Sequence, residues 1–127
     1  MPAKNPESYL FDMLEAARKI QRFIAGYDEA RFMHDEKTIS AVERQFMIIG
    51  EAAKHIGPSL RERFPDIDFR LATAMRNFIV HQYDRVDPEK VWRTVIEDLP
   101  GVVRVLEPFI AERLARDAER EPPQLER

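Results

Sequence analysis

The stretch ISAVERQFMIIGEAAKHIGP, residues 39–58, decides the fold class. Its apolar residues recur at intervals of three or four, which is the spacing of the buried face of an α-helix. They are Ile39, Val42, Phe46, Ile49, Ala53 and Ile56. We predict a long helix that starts near Asp35 or Thr38 and ends at Gly57-Pro58, because glycine accepts a left-handed cap and proline cannot continue the hydrogen-bond ladder.

Three more segments of the chain show helical spacing. Capping residues, two of them followed by proline, predict where these helices start: Asn5-Pro6 for the first, Asp66 or Asp68 for the third and Asp87-Pro88 for the fourth. Pro100 and Pro108 are expected to divide the fourth helix into two or three pieces, since proline lacks the N–H that the ladder needs. No stretch shows the two-residue alternation of a half-buried strand. We therefore predict an all-α fold, an antiparallel four-helix bundle with a kinked or broken C-terminal helix.

Length and composition are those of one globular domain. The 127 residues are 44% hydrophobic, and 34% of them are charged, which is above the typical proportion of about 25%. We expect a single helical domain over residues 1–115. Residues 116–127 are polar and carry a double proline, so we expect them to form a frayed tail.

The composition also excludes several kinds of site. Without cysteine the chain has no disulfide, no zinc–thiolate site and no cysteine nucleophile. No segment approaches the roughly 18 consecutive apolar residues of a membrane span, so we expect a cytoplasmic protein with no membrane partner. The formal net charge of −3 argues against broad electrostatic binding to nucleic acid, so any such site must consist of a few well-placed cations.

One polar cluster interrupts the pattern of the third helix, in AMRNFIVHQYDR at residues 74–85. It contains Arg76, Asn77, His81 and Tyr83. Asn77 and His81 are four residues apart and share a helix face, whereas Arg76 and His81 are five apart and separated by roughly 140°. Arg76 and His81 converge only if the helix loosens near His81, if the Arg76 side chain curls around the helix, or if a partner chain contributes a second copy of the cluster.

These residue types suit cleavage of RNA without a metal ion. Histidine moves a proton near neutral pH, and arginine grips a phosphate and stabilises developing charge. With His81 as the base, a ribose 2′-hydroxyl attacks the adjacent phosphorus while Arg76 holds the non-bridging oxygens, and Asn77 orients the histidine or binds a phosphate oxygen. DNA lacks that hydroxyl. The same residues in the last turn of a helix also cap carbonyl groups, and spacing alone favours this structural interpretation.

The segment 76–83 resembles the signature of the HepT-like branch of the HEPN superfamily, which is an arginine, a polar residue, three variable residues, a histidine, any residue and a tyrosine. Other segments resemble the family in the expected order: DEKT at 35–38, IIGEAAKHI at 48–56, LRERFPDIDF at 60–69 and VDPEKVWRTVIEDLP at 86–100. The resemblance covers about residues 8–112. One departure is Phe69, where relatives often have tryptophan, and it does not affect the catalytic residues.

The resemblance implies a metal-independent endoribonuclease without a cofactor, which acts as the toxin of a toxin–antitoxin pair. Family members use the arginine and histidine of the signature in catalysis, here Arg76 and His81, assisted by the polar residue, here Asn77. They are homodimers whose two signatures face each other across a cleft. The antitoxin is typically a minimal nucleotidyltransferase that transfers AMP to the signature tyrosine, here Tyr83, and so adds bulk and negative charge where an RNA phosphate must lie.

An alternative interpretation is a non-catalytic helical partner that binds a nucleotide or the nucleotidyltransferase, as an accessory subunit or as an antidote. Either interpretation is compatible with a homodimer or with a larger hetero-oligomer that contains the antitoxin. Expression of each gene alone separates the two, because only a toxin arrests growth.

Outside the cluster, two groups have the residue types of metal ligands. Glu51 and His55 are four residues apart on the second helix, but with no third ligand nearby we interpret them as an exposed pair. The His-Asp-Glu run at residues 34–36 lies at a helix start, where we expect acidic residues to act as caps. The arginines of the connector are interpreted as a solvated surface: Arg61, Arg63 and Arg70.

Overall fold

A computed structural model describes residues 5–120 of the chain, which form seven α-helices and one short 3₁₀ turn. The helices are α1 (Pro6–Phe23), α2 (Glu29–Met33), α3 (Glu36–Lys54), α4 (Pro58–Arg61), α5 (Phe69–His81), α6 (Pro88–Glu97) and α7 (Leu99–Arg120), and the 3₁₀ turn is Tyr83–Arg85. No β-strand occurs in the described part of the chain, and the predicted all-α bundle is confirmed. None of the helices within residues 5–120 is long and apolar enough to cross a membrane.

The predicted helix starts are confirmed. Each of the four predicted helices follows an Asn or Asp whose side-chain oxygen accepts a hydrogen bond from a backbone N–H of the first turn, and α2 is capped in the same way by Asp28. The N···O distances are 2.9 Å for Asn5, 3.1 Å for Asp35, 2.9 Å for Asp68 and 3.0 Å for Asp87. The sequence left Asp66 and Asp68 as alternatives for the start of α5, and the N-cap is Asp68.

The end of α3 differs from the prediction. The helix stops at Lys54, and Gly57 has a φ of −76°, so Gly57 is not a left-handed cap but the N-cap of α4. The carbonyl oxygens of Ala53 and Ile56 accept hydrogen bonds from Arg61 instead, at 2.9 and 2.7 Å. The interpretation of Arg61 as a solvated surface residue is therefore wrong, because its half-buried guanidinium is hydrogen-bonded to two carbonyl groups at the end of α3.

The C-terminal helix is broken once. α6 and α7 are separated at Asp98, and Pro100 lies in the first turn of α7, where its missing N–H leaves no helical bond unmade. Pro108 lies inside α7 without ending it, so the third piece considered from the sequence does not form. α7 also includes residues 116–120, which the sequence assigned to a frayed tail, and the rest of that tail lies outside the described residues.

The long helices share one hydrophobic core. α3 packs against both α1 and α5, and α1 also packs against α7. Phe32 of α2 is completely buried and contacts Trp92 of α6, with ring centroids 5.1 Å apart. Phe64 and Phe109 meet edge to face at 5.0 Å and hold the segment after α4 against α7. The largest completely buried side chains are Phe32, Leu10, Met13, Leu14, Ile20, Leu106, Val42 and Val91.

α3 and α5 come into close contact at Gly50. A Cβ atom added to this glycine would lie 2.1 Å from Cβ of Arg76 and 2.6 Å from the carbonyl oxygen of Ala72. Both distances are far shorter than any non-bonded contact in a packed interior, so a side chain fits only if the two helices move apart. The missing side chain of Gly50 therefore lets Arg76 lie directly on the surface of α3.

We expect Gly50→Ala to lower the free energy of unfolding by about 1–3 kcal/mol, because the added methyl group overpacks the contact between α3 and α5. Gly101→Ala is the matched control, since its Cβ would meet the flexible end of Arg104 at 3.5 Å and alanine is favoured in a helix. Urea unfolding followed by circular dichroism measures both variants. Equal stability of the two would contradict the close contact at Gly50.

Candidate active site

The predicted site lies at the C-terminal end of α5. This helix keeps α-helical geometry through His81, and the N–H of Gln82 donates to the carbonyl oxygen of Phe78 at 2.8 Å. Tyr83 follows in the 3₁₀ turn. The helix therefore does not loosen before His81. Loosening of the helix, the first of the three ways in which Arg76 and His81 could converge, is not seen.

The Arg76 side chain reaches α3 and does not curl around α5 to His81, so the second way is not adopted either. Its Nε lies 3.3 Å from Oε2 of Glu51, and its Nη1 donates a 2.9 Å hydrogen bond to Oδ1 of Asn77. The side chain keeps 26% of its surface exposed. An ion pair with Glu51 and a hydrogen bond to Asn77 thus hold the guanidinium while part of it stays open to solvent.

The other three residues of the cluster are exposed. Asn77 accepts its hydrogen bond from Arg76, and no hydrogen bond among residues 5–120 links it to His81. Tyr83 is 80% exposed, the largest fraction among the large apolar and aromatic side chains that the structure describes as exposed. The structure therefore brings Arg76 and Asn77 together, and leaves His81 and Tyr83 accessible at the helix end and in the turn that follows it.

A cleft of about 410 Å³ opens beside Arg76, lined by side chains of α1, α3 and α5. Its lining includes Glu51 and His55, which the sequence paired as neighbours on α3 and whose Oε1 and Nε2 atoms are 3.8 Å apart. Both side chains are exposed, as predicted. In the described part of the chain, no group of three or more His, Cys, Asp and Glu side chains is arranged to hold a metal ion.

The contact between Glu51 and Arg76 was not predicted from the sequence. The two residues lie on different helices, so no spacing rule connects them. The available signal is Gly50, an isolated glycine inside a strong helical pattern, because a glycine there costs the helix about 1 kcal/mol relative to alanine and a close packing contact would account for it. A close helix crossing at Gly50 puts the next residue, Glu51, near whichever side chain lies opposite.

The segment at residues 34–36 acts as a helix cap, as expected. Asp35 accepts hydrogen bonds from the hydroxyl of Tyr27 at 2.5 Å and from the backbone N–H and hydroxyl of Thr38. These bonds, that of Tyr27 above all, lower the pKa of the Asp35 carboxyl to about 2 because they stabilise its charged form. Nδ1 of His34 lies 2.8 Å from the carbonyl oxygen of Ala30. The segment therefore supports the start of α3.

The polar cluster of α5 lies within a match to a known protein family. The family model for HepT-like ribonucleases matches residues 13–109, which include the whole of α5 and the turn after it. The chain belongs to the HepT-like ribonuclease family. The resemblance stated from the sequence is thereby confirmed. No solved structure matched this HepT-like chain.

Three relatives of this HepT-like protein match along almost their whole length. A candidate RNase of Methanocaldococcus jannaschii is 31% identical over 107 residues, which are 84% of this chain and 98% of the relative. A second candidate RNase of that organism is 32% identical over 117 residues, 92% of this chain and 97% of the relative. The candidate ribonuclease HepT of Thermococcus cleftensis is 36% identical over 99 residues, 78% of this chain and 90% of the relative.

Proposed function

We propose that this HepT-like protein is an endoribonuclease toxin that cleaves RNA without a metal ion, with Arg76 and His81 as catalytic residues. Family membership supports the proposal, as does the exposure of His81 at the end of α5. His81 accepts the proton of a ribose 2′-hydroxyl as its oxygen attacks the adjacent phosphorus, and the bond from that phosphorus to the 5′-oxygen breaks. The products are a 2′,3′-cyclic phosphate and a 5′-hydroxyl, which takes its proton from solvent. Arg76 stabilises the charge that develops on the non-bridging oxygens. RNA is the substrate because DNA lacks the attacking hydroxyl.

The site is completed by a second copy of the chain. On a regular helix Arg76 and His81 are about 7.5 Å apart along the axis and roughly 140° apart around it. The guanidinium is also held on the α3 side by Glu51. The route to convergence that remains is a homodimer in which Arg76 of one protomer meets His81 of the other. Phe78, which is 39% exposed and lies between Asn77 and His81 in the chain, offers apolar surface at the cluster that a second protomer would cover.

Asn77 assists catalysis by holding the arginine. Its Oδ1 accepts from Nη1 of Arg76, while Glu51 contacts Nε from α3. The ion pair with Glu51 and the hydrogen bond to Asn77 fix the planar guanidinium, so less freedom is lost when it binds a phosphate. Asn77 is thus a positioning residue for Arg76 in this mechanism.

Tyr83 is the point at which the toxin is controlled, through transfer of AMP by a minimal nucleotidyltransferase antitoxin in the cytoplasm. The tyrosine is 80% exposed and lies in the turn after α5, so a modifying enzyme reaches it without unfolding the bundle. It follows His81 by two residues. The added phosphate would therefore bring bulk and negative charge close to the position of the RNA phosphate.

Cleavage of a single-stranded RNA oligonucleotide in EDTA tests the catalytic proposal, using purified protein shown by mass spectrometry to be unmodified at Tyr83. We expect the wild type to produce 2′,3′-cyclic phosphate ends. His81→Ala should lower the rate by about 10²–10⁴-fold because the proton acceptor is lost, and Arg76→Ala by about 10²–10³-fold. His34→Ala, which changes an exposed histidine outside the cluster, is the control. Intact RNA after incubation with folded wild type would contradict the proposal and favour the non-catalytic partner.

Co-expression with the cognate nucleotidyltransferase tests the role of Tyr83. We expect mass spectrometry to find AMP on this residue and RNA cleavage to be lost. Tyr83→Phe should stay active in the presence of the transferase, because phenylalanine offers no hydroxyl. Tyr27→Phe is the control, because it removes a tyrosine hydroxyl that is bonded to Asp35 and lies outside the cluster. We expect the transferase still to inhibit this variant. Inhibition of Tyr83→Phe by the transferase would rule out control through this hydroxyl.

A further inference from the structure

We propose that the cleft beside Arg76 binds one nucleotide of the RNA strand next to the scissile phosphate, an inference that rests on the proposed ribonuclease function. Its volume of about 410 Å³ is within the range of roughly 300–1,000 Å³ that is typical of small-molecule sites. Arg76 forms part of the cleft wall. A strand whose scissile phosphate contacts Arg76 therefore has its neighbouring nucleotide at the cleft.

One wall of the cleft is a pair of stacked aromatic rings. The ring centroids of Tyr9 and His55 are 4.5 Å apart, and their planes make an angle of 15°. The His55 side chain is 44% exposed, so the stack is open to a ligand. Proteins that bind single-stranded RNA stack its bases on such rings, and this stacking tolerates any base. The Tyr9–His55 pair therefore offers a surface on which one base can stack.

Two arginines at the cleft provide groups that bind phosphate. Arg44 is exposed and lies seven residues before Glu51 on the same face of α3, which places it about 10.5 Å away along the helix axis. Arg76 lies at the end of the cleft that Glu51 lines, in contact with the Glu51 carboxylate. The two cations are thus separated along the cleft, so they can contact different phosphates of one strand.

Two carboxylates also line the cleft, those of Glu51 and Asp12. The Glu51 carboxylate contacts Nζ of Lys54 at 3.5 Å and Nε2 of His55 at 3.8 Å, as well as the guanidinium of Arg76. Carboxylates accept hydrogen bonds from ribose hydroxyls and from the amino groups of bases. A site for a simple anion would not place two carboxylates among its cations. The combination of rings, cations and carboxylates fits a whole nucleotide.

Fluorescence anisotropy with a 2′-O-methyl RNA oligonucleotide measures binding without cleavage, because the methyl group blocks the attacking hydroxyl. We expect His55→Ala to raise the Kd about tenfold through loss of stacking. Arg44→Ala should lower the slope of log Kd against log salt concentration by about 0.7, the value of one phosphate contact on a single strand. Arg93→Ala, an exposed arginine of α6 that pairs with Glu89, is the matched control and should behave as wild type.

Cleavage of unmodified RNA by the same variants gives a second readout. His55→Ala and Arg44→Ala should raise KM and leave kcat nearly unchanged, because neither side chain touches the reacting atoms. Both side chains are exposed, and thermal melting by circular dichroism checks that the variants fold. Competition with 5′-AMP in the anisotropy assay separates an RNA strand from a free nucleotide as the ligand.

Each outcome has a distinct meaning. Wild-type Kd, salt slope and KM in both variants, with RNA cleavage by the wild type intact, would overturn the cleft as a nucleotide site and leave the proposed function standing. A wild type that cleaves no RNA would overturn the proposed function itself. Displacement of the oligonucleotide by 5′-AMP at micromolar concentration would overturn the RNA strand as occupant in favour of a free nucleotide, whereas displacement only at millimolar concentration supports the strand.

Discussion

The close contact of α3 and α5 at Gly50 is the constraint on which the rest of the site depends. Cβ of Arg76 lies 2.1 Å from the position that a Cβ atom of residue 50 would take, so only a glycine allows the two backbones to lie at this distance. Ile49 and Met75, both buried, hold the helices together beside the contact. Arg76 is thereby directed to α3, where Glu51, the residue after the glycine, contacts its Nε.

This constraint separates the two predicted catalytic residues within one chain. Arg76 is held over α3 by Glu51 and Asn77, whereas His81 lies exposed at the last residue of a regular helix. Under the proposed mechanism, activity depends on association of two protomers, and a lone chain does not degrade RNA. The proposed site is also compatible with the formal net charge of −3, because a few cations placed at the cleft can bind phosphate without a broad basic surface.

The parts of the fold that were predicted from the sequence are those with local causes. Asn5, Asp35 and Asp87 cap helices through bonds to residues two or three positions away, so the sequence itself contains both partners. The end of α3 was not predicted, because Arg61 reaches back to it across the following helix start. The residues of the cluster were found from their types and order, but the direction of the Arg76 side chain was not, because it depends on packing between helices distant in sequence.

A heterodimer of one Arg76→Ala protomer and one His81→Ala protomer, purified with two different affinity tags, tests most directly whether the site is shared between chains. Such a heterodimer keeps one intact pair, with Arg76 from one protomer and His81 from the other. We therefore predict about half the RNA cleavage of the wild-type dimer, while each homodimeric variant cleaves at least about 10²-fold more slowly than wild type. A site contained within one chain has no intact pair in this heterodimer. A heterodimer as inactive as its parents would contradict a site that is shared between protomers.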